Sequence, residues 1–309
     1  MIEVIKAGLF TTVQDLGRNS YAHFGVSAAG AADPLSLRIG NLLAGNEESA
    51  PALEMTMLGA WFCFHAHTVF VLSGADFDAT LAGNKVPLFC PTAVRAGDVL
   101  QCGSARTGAR GYICLSGGVA VPPMLGSVST HVPSGLGGYQ GRALRKGDKL
   151  GTGISRKTPC RRPLPTQFIS ALQVRTHLRV TPGGQARRFT AEAAFLLVSN
   201  IYRVSEESNR TGLRLLGSSI PYPGEMLSEG MPLGAIQVPP SGQPILLFVD
   251  AQTTGGYPVI ACVISADLRS VGQLRPGQDV TFECITLERA RVFLLEQEEI
   301  LQEIRSKLA

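Results

Sequence analysis

No stretch of this sequence reaches the ~18 apolar residues needed to span a bilayer. Its first residues, MIEVIKAGLF, lack the basic-then-apolar order of a secretory signal. Both absences point to a cytoplasmic chain with no membrane partner. The sequence has no G-x-x-x-x-G-K-S/T loop, no H-E-x-x-H and no C-x-x-C, which removes a standard phosphate cradle and the familiar zinc sites. There is no Met-Lys-Met turn either, so this chain carries no biotin attachment. Ser27, in Gly25-Val26-Ser27-Ala28-Ala29-Gly30, misses the nucleophile-elbow pattern by one residue. Charge is sparse, at 17% of residues with a net +4. The one basic cluster, Arg156, Lys157, Arg161 and Arg162, has no interleaved aromatics, so it reads as a solvated linker and not as a nucleic-acid surface. The seven cysteines are odd in number and far apart in sequence, which fits a reduced protein better than a disulfide framework. Cys63, His65 and His67 alternate, but Trp61, Phe62 and Phe64 make that run core-like, and no metal site is assigned.

What the sequence does contain is turn chemistry and short apolar runs. With 309 residues the chain has length for about two domains, or for one large β domain. The 35 glycines and 19 prolines, spread evenly, suit many short strands. Strands are expected at 2–7, 61–65, 68–73, 98–102 and 111–115, then at 174–181, 234–238, 245–249, 259–264 and 279–284. One helix interrupts the first set. Asp33 is a good N-cap and Pro34 fits the first turn; Leu35, Ile39, Leu42 and Leu43 share a face, and Gly45 ends it. The prolines and basic residues of 153–165 mark a linker. The chain closes with a helix from about residue 287, in which Leu287, Leu294, Leu301 and Leu308 lie seven apart beside Ile304. That stripe docks on its own barrel or faces a partner. The expected domains are thus 1–155, 166–286 and a terminal helix over 287–309. A weak internal echo places a glycine turn before a strand at 96–100, 146–150 and 276–280.

Four polar clusters stand in glycine-rich turns, where a rigid sheet can present binding groups. In the first, Thr11 to Arg18, Gln14 and Asp15 offer acceptors and Arg18 a planar donor fork; the alternative is a salt bridge pinning a turn. The second joins Gly117-Gly118, Gly126 to Thr130 and Gly135 to Gly141, whose amides suit an anion or simply tight turns. The third, Ser208-Asn209-Arg210-Thr211-Gly212, reads as a carboxylate clamp or a surface turn. The fourth is the densest. It runs from Gln237 through Pro244, and then from Asp250 through Pro258, where one loop carries an acid, an amide, two hydroxyls, a glycine pair and Tyr257. Asp250 there could orient a water or act as a base, and Gln252, Thr253 and Thr254 could hold an amide or carboxylate.

These clusters, in this order, resemble the biotin-dependent carboxyltransferase / allophanate hydrolase subunit 2 family, also called KipA-like. The matching segments are Gly8 through Asp15, Asn41 through Asn46, Ala52-Leu53-Glu54, Gly117-Gly118, Gly126-Ser127, Ser129-Thr130, Gly147-Asp148, Ser208-Asn209-Arg210, Gln237-Val238-Pro239 and 250–258. The resemblance implies a mostly β fold of two cyclophilin-like β-barrel domains with a few helices, one of them C-terminal. It implies one component of an ATP-using 5-oxoprolinase complex that opens 5-oxoproline to glutamate, working with a KipI-like component and a LamB/YcsF-like component. Which chain binds ATP is not implied. Carried onto this sequence, the catalytic candidates are Asp250, Gln252, Thr253 and Tyr257. The substrate-binding candidates are Arg210, Asn209, Gln237, Thr254, Gln14, Asp15 and Arg18. Two other roles stay open in the same family: the carboxyltransferase half of a biotin-dependent urea carboxylase, and a KipI-binding regulator without turnover. Val128, Thr211 and Leu213 depart from the residues usual at those positions, which bears on the substrate more than on the fold.

Overall fold

The computed structural model describes residues 1–155 and 157–308; Arg156 of the basic cluster lies outside the described residues. The chain divides into two compact units, and the division is interleaved where the sequence led us to expect a linear one. Met1–Arg18, Ala29–Gln173 and the last residues from Ile300 form the first. Asn19–Ala28 and Val174–Glu299 form the second. The short 19–28 segment is tied into the second unit by Ser27 Oγ, which donates to the Val249 carbonyl at 3.3 Å.

The first unit is layered. One sheet runs in the order Val119–Ala120, Lys149–Thr152, Ile2–Lys6, Trp61–Phe64, Val99–Gln101, Thr80–Leu81 and Asn84–Lys85. The other runs Phe10–Gln14, Ala52–Thr56, Thr107–Leu115, Thr68–Asp76 and Thr92–Val94. Alternation along the strands fills the space between the sheets: Ile2, Val4, Phe62, Phe64 and Leu100 meet Val13, Leu53, Met55, Phe70, Leu72 and Ile113 in one core. The five-stranded sheet is buried on its other face too. There Val71, Tyr112 and Cys114 pack with Leu35, Leu37, Ile39 and Leu43 of the helix Pro34–Leu43, and with Leu301 and Ile304. A sheet covered by a helix layer on one side and a second sheet on the other needs no closure into a barrel, and the closed barrel expected of both halves is found in the second unit.

The helix Pro34–Leu43 begins as its sequence dictates. Asp33 accepts from the Ser36 amide (3.0 Å) and hydroxyl (2.7 Å). The turn before it is fixed from the sheet: Glu54 Oε2 accepts from Tyr112 OH (2.7 Å) and from the Ala32 amide (2.8 Å), while the Asp33 amide donates to Tyr112 OH (2.7 Å). Gly40 lets the helix lie close on the sheet. A Cβ there would stand 2.6 Å from Ser73 Oγ and 2.7 Å from Cys114 Sγ.

The echo has a structural counterpart. In Arg95-Ala96-Gly97-Asp98, Arg145-Lys146-Gly147-Asp148 and Arg275-Pro276-Gly277-Gln278 the fourth residue's amide donates to the arginine carbonyl. In each, the glycine has a positive φ, between 78° and 95°, as a type II turn requires. In each, too, the fourth side chain accepts from the arginine amide.

The second unit is a closed barrel in the order His177–Pro182, Val259–Val263, Ala235–Gln237, Ile245–Leu247, Gly212–Leu216, Tyr202–Val204 and Asp279–Cys284. It closes through the parallel pairing of Leu178 with Phe282. Register puts Leu178, Val180, Phe282, Val280, Tyr202, Val204, Leu215, Leu213, Leu246, Ile236 and Ala261 on the inner face, all buried. The terminal helix Leu287–Leu308 is not a uniform leucine stripe. Leu301 and Ile304 are buried, whereas Leu287 and Leu294 are exposed. Its first half is held by Phe293, whose ring lies 3.6 Å from the Arg179 guanidinium, which itself pairs with buried Asp267.

Two outcomes test this packing. Gly40→Ala should lower stability by about 1–3 kcal/mol, the usual range for overpacking, read from urea denaturation midpoints; an unchanged midpoint would contradict the close approach. Burial pushes the Cys102 and Cys114 thiols up from an ordinary 9.0 to about 12. Burial, then Glu54 and Asp33, pushes the Tyr112 hydroxyl well above its ordinary range. These groups keep their protons in the folded state while the unfolded chain loses them. Stability should therefore be intact below pH ~9 and fall as pH rises above it. A flat or rising urea midpoint there would refute that burial.

Candidate functional site

The four polar clusters come together as two groups, one in each unit. In the first unit, the first cluster meets the 127–130 part of the second around Asp15, while Gly117 lies apart, its amide donating to Asn46 Oδ1 at 2.8 Å. Its carboxylate accepts from Ser127 Oγ (2.6 Å), Ser129 Oγ (2.5 Å), the Gly17 amide (2.8 Å) and the Val128 amide (2.8 Å). Its own amide donates to Ser129 Oγ at 3.0 Å. Arg18 donates to the Ser129 carbonyl. Gln14 Nε2 donates to Thr12 Oγ1 (3.0 Å) and the Thr130 carbonyl (3.1 Å). All three side chains are buried. Three of the donors to the Asp15 carboxylate converge on Oδ1, and the Val128 amide reaches Oδ2. Gln14, Asp15 and Arg18, expected to bind substrate, are buried here and join the turn after Phe10–Gln14 to the segment 127–130.

Clusters three and four meet in the second unit, on the outer face of the barrel. Gly212 pairs with Leu247, Arg214 with Ile245, and Gln237 with Ile245. These residues therefore point away from the interior that Leu213, Leu246 and Ile236 fill. At Ile236/Gln237 the register against Val259–Val263 shifts by a bulge, a device that re-aims a side chain. Over this wall lies a cavity of about 180 Å³. Ile245, Leu247 and Gly212 give it an apolar floor. Asn209, Thr211, Gln237, Gln252 and Tyr257 supply amides and hydroxyls, and Glu207 and Arg214 complete the lining.

Local hydrogen bonds explain how each group is held. Asn209 Oδ1 accepts from the Thr211 (2.8 Å) and Gly212 (3.4 Å) amides, which folds the turn and leaves its NH₂ group to donate to a ligand. Gln237 Nε2 donates to the Tyr257 carbonyl and to Met231 Sδ, each at 3.2 Å, fixing a side chain that is buried. Arg214 is fixed through its backbone: its amide donates to Ser208 Oγ at 3.1 Å and its carbonyl accepts from the Ser205 amide at 2.9 Å.

Four of the sequence-derived candidates line this cavity: Asn209, Gln237, Gln252 and Tyr257. Arg210 and Asp250 do not. Arg210 donates from Nε (2.8 Å) and Nη2 (2.9 Å) to the two oxygens of Asp250, and both side chains are buried. The expected clamp and the expected base are thus each other's partners. Thr253 and Thr254 are also elsewhere: the Thr253 carbonyl accepts from the Met231 amide at 2.9 Å, and Thr254 pairs with Gly230 in a two-stranded ribbon. Glu207, Thr211 and Arg214 were missed as site residues. The signal for Arg214 was present, since it is the charged member of the alternating run Leu213-Arg214-Leu215. Among the described residues no group of three or more His, Cys, Asp or Glu could hold a metal ion, and no helix is long and apolar enough to cross a membrane.

This lining binds and orients better than it catalyses. Among the described residues it combines neutral hydrogen-bonding groups, one cation and an apolar floor, and its one carboxylate, Glu207, faces Arg214 at 3.4 Å.

Comparison with known proteins agrees with a family role. The model of the carboxyltransferase domain, subdomain A and B, matches residues 24–284. The C subunit of the 5-oxoprolinase of Escherichia coli (strain K12) is 38% identical over 310 residues, covering 100% of this chain and 99% of that protein. Its namesake from Haemophilus influenzae is 37% identical, covering 99% and 98%. Among solved structures, the K. lactis urea amidolyase matches 98% of this chain with a TM-score of 0.92 at 30% identity; this chain spans 20% of that one.

The Arg210–Asp250 pair has a measurable signature. Arg210→Ala or Asp250→Ala alone should cost about 3–5 kcal/mol, because each removes one half of a buried ion pair. The double variant should cost less than the sum. Additive losses in a denaturation cycle would contradict the pairing.

Proposed function

This chain belongs to the carboxyltransferase family of subdomains A and B, and we propose that it is the C subunit of a cytoplasmic, ATP-dependent 5-oxoprolinase that opens 5-oxo-L-proline to L-glutamate. The observation that carries this reading is 37% and 38% identity, over essentially the full chain, to two proteins of that name. The cavity supports it. 5-Oxoproline is a five-membered lactam with one carboxylate, and it asks for an apolar floor, amide partners and a cation.

The chain acts within a complex, together with a KipI-like partner and a LamB/YcsF-like partner. ATP activates the lactam carbonyl for attack by water, with the nucleotide itself outside this cavity. At about 180 Å³ it falls below the ~300–1,000 Å³ of sites that hold drug-sized ligands. This chain's part is to hold the ring: Gln252, Asn209 and Tyr257 are the groups available to the lactam, while the Arg210–Asp250 pair keeps their loops in place. A urea-carboxylase role is favoured by the TM-score of 0.92 to urea amidolyase, but identity there is lower, at 30%.

The test is ATP-dependent release of glutamate from 5-oxoproline by this chain mixed with its KipI-like and LamB/YcsF-like partners, each omitted in turn. Turnover should vanish when this chain is left out. Undiminished turnover without it, or a stable complex with no turnover, would overturn the assignment.

A further inference from the structure

We infer that Arg214, not Arg210, receives the substrate carboxylate, and that Glu207 occupies its place when the cavity is empty of substrate. This rests on the oxoprolinase reading of the outer-face cavity and goes beyond it by assigning the residue that selects for a carboxylate.

Three observations lead there. First, Arg210 is already occupied: two of its nitrogens bind the two oxygens of Asp250, at 2.8 and 2.9 Å, and its side chain is only 7% exposed. Redirecting it to a ligand would break a buried two-point ion pair, a costly exchange for one new carboxylate contact. Second, among the described residues Arg214 is the one cation in the cavity lining, which Arg210 does not join. Its strand pairing with Ile245 puts it on the outer face, beside the apolar floor and across from the amides. Third, Arg214 is held loosely where it matters and firmly where it does not. Its backbone is bonded on both sides to the 205–208 turn. Its guanidinium meets Glu207 at 3.4 Å, with the two side chains 57% and 76% exposed. An exposed pair of that length contributes little, so an incoming carboxylate that can bind the planar fork in two places displaces it at small cost.

Glu207 is then a selectivity element. It shields Arg214 from weak anions and yields to a ligand that also fills the floor and bonds the amides. A lactam without a carboxylate would use the floor and amides alone and be indifferent to both charges.

The experiment uses the reconstituted complex with wild-type chain, Arg214→Gln and Glu207→Gln. It measures kcat and KM for 5-oxoproline, and inhibition by 2-pyrrolidinone, the same ring without the carboxylate. Arg214→Gln should raise KM on the order of 10- to 100-fold, the equivalent of losing a charge-assisted hydrogen bond, with kcat little changed. Glu207→Gln should lower KM. Neither should alter inhibition by 2-pyrrolidinone. An unchanged KM in Arg214→Gln, a rise in KM in Glu207→Gln, or a parallel loss of 2-pyrrolidinone inhibition would overturn the assignment of Arg214 and leave the oxoprolinase reading standing. No turnover of 5-oxoproline by the wild-type complex would overturn both.

Discussion

The bidentate pairing of Arg210 with Asp250 is the constraint on which the candidate site depends. It joins the turn that follows Tyr202–Val204 to the loop that follows Ile245–Leu247, and the Asp250 amide adds a bond to the Arg210 carbonyl at 2.8 Å. Asn209 and Thr211 flank one partner, and Gln252 stands two residues from the other, so the pair sets the distance between the two walls of the cavity. A buried pair of this kind contributes little net stability compared with an apolar pair of equal volume. Its retention here makes sense as geometry, because breaking either half releases both loops.

The first unit contains a similar device with a different consequence. Asp15 gathers two hydroxyls and two backbone amides, and so pins residues 127–130 to the turn after Phe10–Gln14. The Glu54–Tyr112 contact does the same for the turn that starts the helix Pro34–Leu43. Several residues that carry the family resemblance, among them Gln14, Asp15, Glu54, Asn209, Arg210 and Asp250, thus keep loops in shape. The groups left open to a ligand are neutral amides, a tyrosine and one loosely paired arginine.

Much of the architecture was legible in the sequence because it follows from local rules. The Asp33 cap, the strands bounded by Gly and Pro, and the terminal helix all lie within a residue or a few of their expected places. The echo of glycine turns proved to be one repeated hydrogen-bond pattern. The pairing of polar side chains was not legible. Arg210 and Asp250 are 40 residues apart, and Asp15 and Ser129 are 114 apart, so only the closed barrel and the layered sheets bring them together. A dense polar loop announces that something is held there; it does not say whether the thing held is a ligand or another part of the chain. The leucine heptad misled for a related reason. Spacing alone cannot distinguish Leu301, which enters a core, from Leu287, which stays exposed.

Everything proposed for the site turns on substrate lying on the outer face of the second unit's barrel, against Ile245 and Leu247. A crystal structure of the reconstituted complex with 5-oxoproline bound tests that placement most directly. The expected result is the ring over that floor, its carboxylate on Arg214, its lactam within hydrogen-bond reach of Gln252 or Asn209, and the Arg210–Asp250 pair intact. A ligand bound away from this face, or one whose carboxylate had drawn Arg210 off Asp250, would contradict it.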